Sequence, residues 1–294
     1  MPSLKDLRNR IDSVKSTKKI TQAMKMVAAS KLKKAQSIAE KGRSYSSGLD
    51  SIVKGLVNSS ENIDHPLLDN NVGDKNLSLI IVVSSDRGLC GGLNSNIVKA
   101  VKKKINELEG KKKSASLVCI GKKGFDLLSG LYEKMFNFEV KHINIAEIDY
   151  KSTEEIGKKI LNSFYKKDFQ ECSLFYNHFN SVISQEVKVE KLIPYSKPSE
   201  SDRENQNNID TYFEYEPNEE EVLSKILPKN FIVQIYKAIL ESRASEQGAR
   251  MTAMDNATRN AGEMIDNLSL KYNRQRQAII TKELIEIISG AEAL

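Results

Sequence analysis

With 294 residues, the chain has room for one or two domains and a sizeable core. Its 39% apolar and 29% charged composition describes a protein rich in long polar surfaces, and no apolar run reaches the ~18 residues of a membrane-spanning helix. The net charge of +6 is unevenly placed: residues 1–43 hold twelve Lys or Arg against three acids, a net +9 that suits an acidic partner or a solvated helical face.

The first predicted element is a helix over residues 3–57. Ser3 and Asp6 form an S-x-x-D start signal, and Leu4, Leu7, Ile11 and Val14 then step 3-4-3 as in a coiled-coil seam. The apolar line is expected to continue through Ile20, Met24, Val27, Leu32, Ile38, Leu49, Ile52 and Leu56, with no Pro to interrupt it. At helical rise this element is roughly 80 Å long. Its basic start lacks the apolar core of a signal peptide. Asp6, Asp12 and the regular spacing suit a mature helix rather than a transit peptide, so the expected location is the cytoplasmic side.

Residues 58–76 read as a polar connector, and residues 77–195 as an α/β domain. Strands are predicted at Leu77–Ser84, Leu117–Ile120, Phe136–Ile143, Leu174–Phe179 and Val187–Ile193. Helical stretches at Ile97–Leu108, Phe125–Leu131 and Ile156–Phe164 separate the earlier ones. Such alternation implies a mostly parallel sheet with right-handed crossovers.

The loop after the first strand, SSDRGLCGGLN, has the look of a phosphate-binding turn. A Walker A loop needs Lys-Ser/Thr after its last Gly, whereas Gly91-Gly92 is followed by Leu93-Asn94. Gly88, Gly91 and Gly92 do not fit G-x-G-x-x-G either, and Asp86 and Arg87 can bond backbone or a neighbour as readily as a ligand. A tight structural turn is the better reading, with no cofactor required.

Residues 196–217 form a second connector. Pro217-Asn218 before Glu219-Glu220-Glu221 announces the last helix, which Pro228 is expected to kink or restart. From Phe231 nothing stops it before Ser289-Gly290. Ala244, Gly248, Ala249, Ala253, Ala257, Ala261 and Gly262 are expected to let it lie close along the first helix, with Met251, Met254, Met264 and Leu268 filling gaps. The expected architecture is an antiparallel two-helix coiled coil of residues 1–57 and 218–294 around the central α/β domain. Near the end, Ile279, Ile280, Leu284, Ile285, Ile287 and Ile288 are apolar on more than one side of the helix. Beyond the reach of the first helix they would need a foreign sleeve.

Cys90, Cys119 and Cys172 form no CxxC pattern and fit a reducing compartment as core residues, while His65, His142 and His178 lack metal-ligand spacing. No catalytic, cofactor or metal site is expected. Two rival readings stay open on these residues: a nucleotide-binding α/β enzyme with helical arms, and a coiled-coil structural or nucleic-acid-binding protein.

Five segments carry a resemblance. KITQAMKMVAASKLKKAQ (19–36), SSDRGLCGGLN (84–94), LIP (192–194), SEQGARMTAMDNAT (245–258) and YNRQRQAIITKELIEIISGAEAL (272–294) are similar, in order, to signature segments of the gamma subunit of F-type ATP synthases. The resemblance implies a non-catalytic rotor shaft turning inside a ring of alpha and beta subunits, its foot with epsilon on the c-ring. It implies beta-subunit contacts at Met24, Lys25, Arg250, Gln277 and Thr281, with Arg276 beside them. The apolar tip would enter a bearing, and Arg43, Tyr45, Tyr215 and Glu216 would face the c-ring. With no added cysteine-bearing segment of the chloroplast kind, the implied setting is a bacterial plasma membrane, held peripherally without lipid insertion.

Overall fold

A computed structural model describes residues 3–59, 65–69, 76–136, 142, 143, 145, 148–195 and 219–292. Two compact units divide the chain: Met1–Ser30 with Arg250–Leu294, and Lys31–Ala249. Both long helices contribute to each unit, α1 spanning Leu4–Ser59 and α5 spanning Glu219–Glu292.

The larger unit is built on five strands: β1 (Leu77–Val83), β2 (Ser114–Ile120), β3 (His142–Ile143), β4 (Glu171–Phe179) and β5 (Gln185–Ile193), in the order β3-β2-β1-β4-β5. The first four run parallel and β5 returns antiparallel to β4, so the expected mostly parallel sheet is found. Residues 137–141, most of the third predicted strand, lie outside the described residues.

The alternation within β1 explains the layering. Leu79, Ile81 and Val83 face one cluster, which holds α4 (Tyr150–Tyr165), the end of α1 and the first turns of α5. Ile80 and Val82 face the other, which holds α2 (Leu93–Gly110) and α3 (Lys122–Tyr132). A strand buried on both faces must read as a continuous apolar run, as LSLIIVV does. α5 continues unbroken through Pro228, so of the expected kink or restart the restart is not found. The lost N–H bond is offset by packing: Leu223, Leu227, Phe231 and Ile232 around it are all buried in the first cluster.

In the smaller unit the two helices pair antiparallel. Leu7 and Ile11 cluster with Leu268, and Val14 and Tyr272 pack against them. Thr258 Oγ1 donates to Thr21 Oγ1 at 2.8 Å, and Lys25 Nζ donates to Asp255 Oδ1 at 2.6 Å. Each turn gained along α1 is thus matched by one turn back along α5. α1 starts with a reciprocal capping box: Ser3 N donates to Asp6 Oδ2 at 3.0 Å, and Asp6 N to Ser3 Oγ at 3.1 Å.

The inward line of α1 differs from the expected one. Beyond Val14 the covered residues are Lys18, Thr21, Lys25, Ala28, Leu32, Ala39, Gly42, Ser46, Val53 and Leu56. Ile20 and Val27 stand more than half exposed, and Ile38 and Ile52 face outward too. The heptad spacing never breaks, but its middle is written in small and polar residues, so the apolar pattern there follows the outer face. The small residues of α5 also divide their work. A Cβ on Gly248 would meet Phe179 Cε2 at 3.0 Å, and Ala249 packs with Cys90 and Leu93, so these two seat α5 on the sheet's loops rather than on α1.

Candidate partner-contact surfaces

In open α/β sheets a ligand sits in the crevice at the carboxyl ends of the strands, where the winding reverses. Here that point lies between β1 and β4, and SSDRGLCGGLN follows β1. The chain's own groups occupy it. Asp86 Oδ1 accepts from Lys122 N and Ile145 N, both at 3.1 Å, tying together the loops after the first three strands. Ser84 Oγ accepts from Gly124 N at 2.8 Å and Ser85 O from Lys123 N at 2.9 Å. The amide donors at the start of α3, which a phosphate would use, are therefore already bonded. Gly121 takes φ 103°, and a Cβ there would lie 2.1 Å from Ser84 O, so only glycine fits. Asn94 and Ser85 bond each other and close over the Cys90 thiol.

α5 fills the rest of the crevice. Past Phe175, β4 extends beyond its pairing with β1, and its backbone groups need partners. Ser242 Oγ accepts from Asn177 N at 3.3 Å, Ser245 Oγ donates to Asn177 O at 2.9 Å, and Glu241 Oε2 accepts from Phe179 N at 3.0 Å. Glu241 is fully buried and also takes both Arg43 Nε and Arg43 Nη2, while that same guanidinium reaches Phe179 O at 2.7 Å. Arg43 and the Phe179 amide hold the Glu241 carboxyl below the usual carboxylate range, although burial opposes them. Burial pushes His178 down, outweighing the pull of Glu241. Glycine-rich turn and helix thus form a structural joint.

The three cysteines are buried and in no disulfide; burial pushes the Cys119 thiol up to about 12 and Cys172 higher still. No described group of His, Cys, Asp or Glu is placed to hold a metal ion, and no described helix is long and apolar enough to cross a membrane.

The outward surfaces lie mainly on the helices. Met24 is half-buried, while Ile20, Met26 and Val27 make an exposed apolar stripe on the outer side of α1. The Lys25 ammonium is bonded to Asp255. Arg250 is half-buried in the smaller unit, and Arg276, Gln277 and Thr281 are exposed. The antiparallel register brings the capped start of α1 opposite residues near Gln275, so α5 continues alone beyond it. Ile279, Ile280, Leu284, Ile285, Ile287 and Ile288 are 37–67% exposed along that overhang. Of the four residues linked with the c-ring, Arg43 has its guanidinium on Glu241, Tyr45 is exposed, and Tyr215 and Glu216 lie outside the described residues.

The terminal helices pair with each other, and one of them closes the ligand crevice of a mostly parallel sheet. The family model for ATP synthase matches residues 3–294. The chain is 48% identical over 295 residues to the ATP synthase gamma chain of Pelagibacter ubique, covering 100% of both. It is 48% identical over 300 residues to that of Rhodospirillum rubrum, again covering 100% of both. Among solved structures it is similar to a chain of the central stalk and c-ring of the Tetrahymena thermophila mitochondrial ATP synthase, with 28% identity, 81% of this chain and 99% of that chain covered and a TM-score of 0.59. The chain belongs to the ATP synthase gamma-chain family.

Proposed function

We propose that the chain is the central rotor shaft of a bacterial F-type ATP synthase, coupling proton flow through a c-ring to ATP synthesis or hydrolysis on beta subunits. The chain itself is non-catalytic. The observation that carries the reading is the overhang: family membership runs from end to end, and a run of large apolar residues projects past the capped start of α1, where none of the described residues covers it.

In this reading an asymmetric shaft inside a threefold ring of alpha and beta subunits favours a different conformation in each catalytic subunit, and turning it exchanges those preferences. Met24, Lys25, Arg250, Arg276, Gln277 and Thr281 are the proposed beta contacts, with charge-assisted hydrogen bonds from Arg250 to beta carboxylates among the stronger ones. The apolar tip turns in a bearing formed by the ring. Epsilon and the c-ring take the foot, with Tyr45, Tyr215 and Glu216 as contacts and Arg43 holding the local backbone through Glu241. The complex sits at the cytoplasmic face of the plasma membrane, with this chain peripheral. Neither rival is favoured: the crevice a nucleotide would use is filled, and nucleic-acid binding leaves the apolar overhang unexplained.

Affinity purification of a tagged chain from cells tests the assignment. Alpha, beta and epsilon subunits co-purifying in stoichiometric amounts is the expected result. Recovery of the chain without them, or with nucleic acid in their place, refutes it.

A further inference from the structure

The face of the α/β domain that carries α2 and α3 has no role in the shaft reading, yet its chemistry is specific. We infer that this face docks electrostatically on an anionic lipid surface. Ile97, Val101, Ile105 and Leu108 bury one side of α2, which turns Lys99 and Lys103 outward, with Lys102 partly exposed and Lys111 and Lys112 in the following turn. Among the described residues no carboxylate pairs with these five lysines. A second group lies beside them: Lys104, Lys113 and Lys191 all act on the single carboxylate of Glu171, with Lys113 Nζ 3.1 Å from it, so this corner is also net positive.

Two further observations favour lipid over other polyanions. α3 packs on the same face of the sheet and leaves Leu127 and Leu131 exposed, at 46% and 64%. Both helices run back toward the amino ends of the strands, and Ser116 Oγ donates to Met135 O at 3.3 Å, so the short turn that follows α3 (Glu133–Met135) lies by the start of β2, next to Lys111–Lys113. Exposed leucines beside a lysine cluster match the headgroup region of a bilayer, where apolar contact adds to charge. Every cationic side chain between Arg87 and Arg203 is Lys or His, with no Arg. Lysine is a hydrated point charge suited to a diffuse anionic surface, whereas nucleic-acid phosphates are commonly gripped by bidentate arginine. The nearby aromatics Phe125 and Tyr132 pack on the core rather than standing out to stack on bases. This surface belongs to the α/β domain, so its behaviour is separable from the rotor reading.

The test is co-sedimentation of the full chain with phosphatidylglycerol-containing vesicles and with pure phosphatidylcholine vesicles. Binding to the anionic vesicles only, weakening as salt rises, is expected. Each lysine near such a surface multiplies binding about five-fold, so K102Q/K103Q/K111Q/K112Q lowers partitioning on the order of a hundred-fold or more. Its melting temperature should stay at the parent value, since these lysines hold nothing in the fold. The control K31Q/K33Q/K34Q removes charge from α1 and should retain most of the binding. Equal binding to both vesicles, no binding by the parent, a loss confined to the α1 control, or salt-sensitive retention of RNA with none of vesicles would each overturn the inference.

Discussion

Lys25 and Asp255 meet at 2.6 Å across the antiparallel helix pair, one turn along from the hydroxyl contact between Thr21 and Thr258. Here the interface exchanges apolar knobs for polar partners, and a polar pair within a heptad seam fixes register more than it adds stability. Both side chains keep more than a third of their surface in water, so the pair is screened by salt. Exchanging the charges, K25D with D255K, should keep the parent melting profile, while K25D alone lowers the melting temperature by repulsion. Thermal melts of the three variants at low and high salt check this; equal melting of K25D and parent at low salt would deny the contact.

Glu241 is the opposite case, a buried carboxylate shared by Arg43 and the Phe179 amide. Removing the carboxylate leaves the buried Phe179 amide without its acceptor, while the partly exposed Arg43 guanidinium can turn to water, so E241A should cost about 2 kcal/mol and lower the denaturant midpoint. The folded state holds this carboxyl below its usual value of 4.5. Its stabilisation is therefore present above that value and lost as pH falls through the lower folded pKa. His178, pushed below 6.5, acts in the same direction: the folded state prefers it neutral, so stability is fully present above 6.5 and declines on acidification. E241Q should flatten the acid limb of a stability-against-pH curve, and H178N the part just below pH 6.5. An unchanged acid limb in E241Q contradicts the assignment.

Gly121 combines a positive φ with a would-be Cβ contact of 2.1 Å to a backbone oxygen, which cannot swing aside. G121A should destabilise the α/β domain by about 3 kcal/mol, read by chemical denaturation. Gly130, with open space around its Cβ, is the matched control, and G130A should be neutral or slightly stabilising.

The overhang gives a contrast between stability and assembly. Ile285 and Ile288 touch little within the chain, so I285S/I288S should leave its own melting within about 0.5 kcal/mol of parent. The same change should weaken assembly with alpha and beta subunits, measured by the yield of complex on size exclusion. Loss of stability in the isolated chain would mean the tip is covered at home. A253P acts by another route: an interior proline costs about 3 kcal/mol or more, breaks α5, and should uncouple ATP synthesis from proton flow while the beta subunits retain hydrolysis.

Much of the fold was legible in the residues. The Ser3–Asp6 box, the 3-4-3 start, the apolar run of β1 and the unsleeved isoleucines each reflect local chemistry that tertiary packing did not overrule. The seam past Val14 was not legible, because Lys18, Thr21, Lys25 and Ala28 carry no apolar signal and their exposed neighbours Ile20 and Val27 do. Residue identity there reflects two faces at once, one pairing and one outward. Nor could the sequence reveal that Glu241, Ser242 and Ser245 close the strand crevice, since these contacts join positions more than sixty residues apart through backbone groups that every residue possesses. That the glycine turn departs from a Walker A loop was readable, because Leu93-Asn94 stands after Gly92 in place of Lys-Ser/Thr, whereas its partners within the fold, such as Ile145 N on Asp86, were not readable.

A rotor shaft must turn. The direct measurement is single-molecule rotation: the assembled catalytic complex is fixed to a surface through its beta subunits, a bead is attached to the α/β domain of this chain, and ATP is supplied. The expected result is unidirectional rotation with threefold-spaced pauses, which stops in the A253P complex while hydrolysis continues. A bead that stays still while the parent complex hydrolyses ATP at full rate would contradict it.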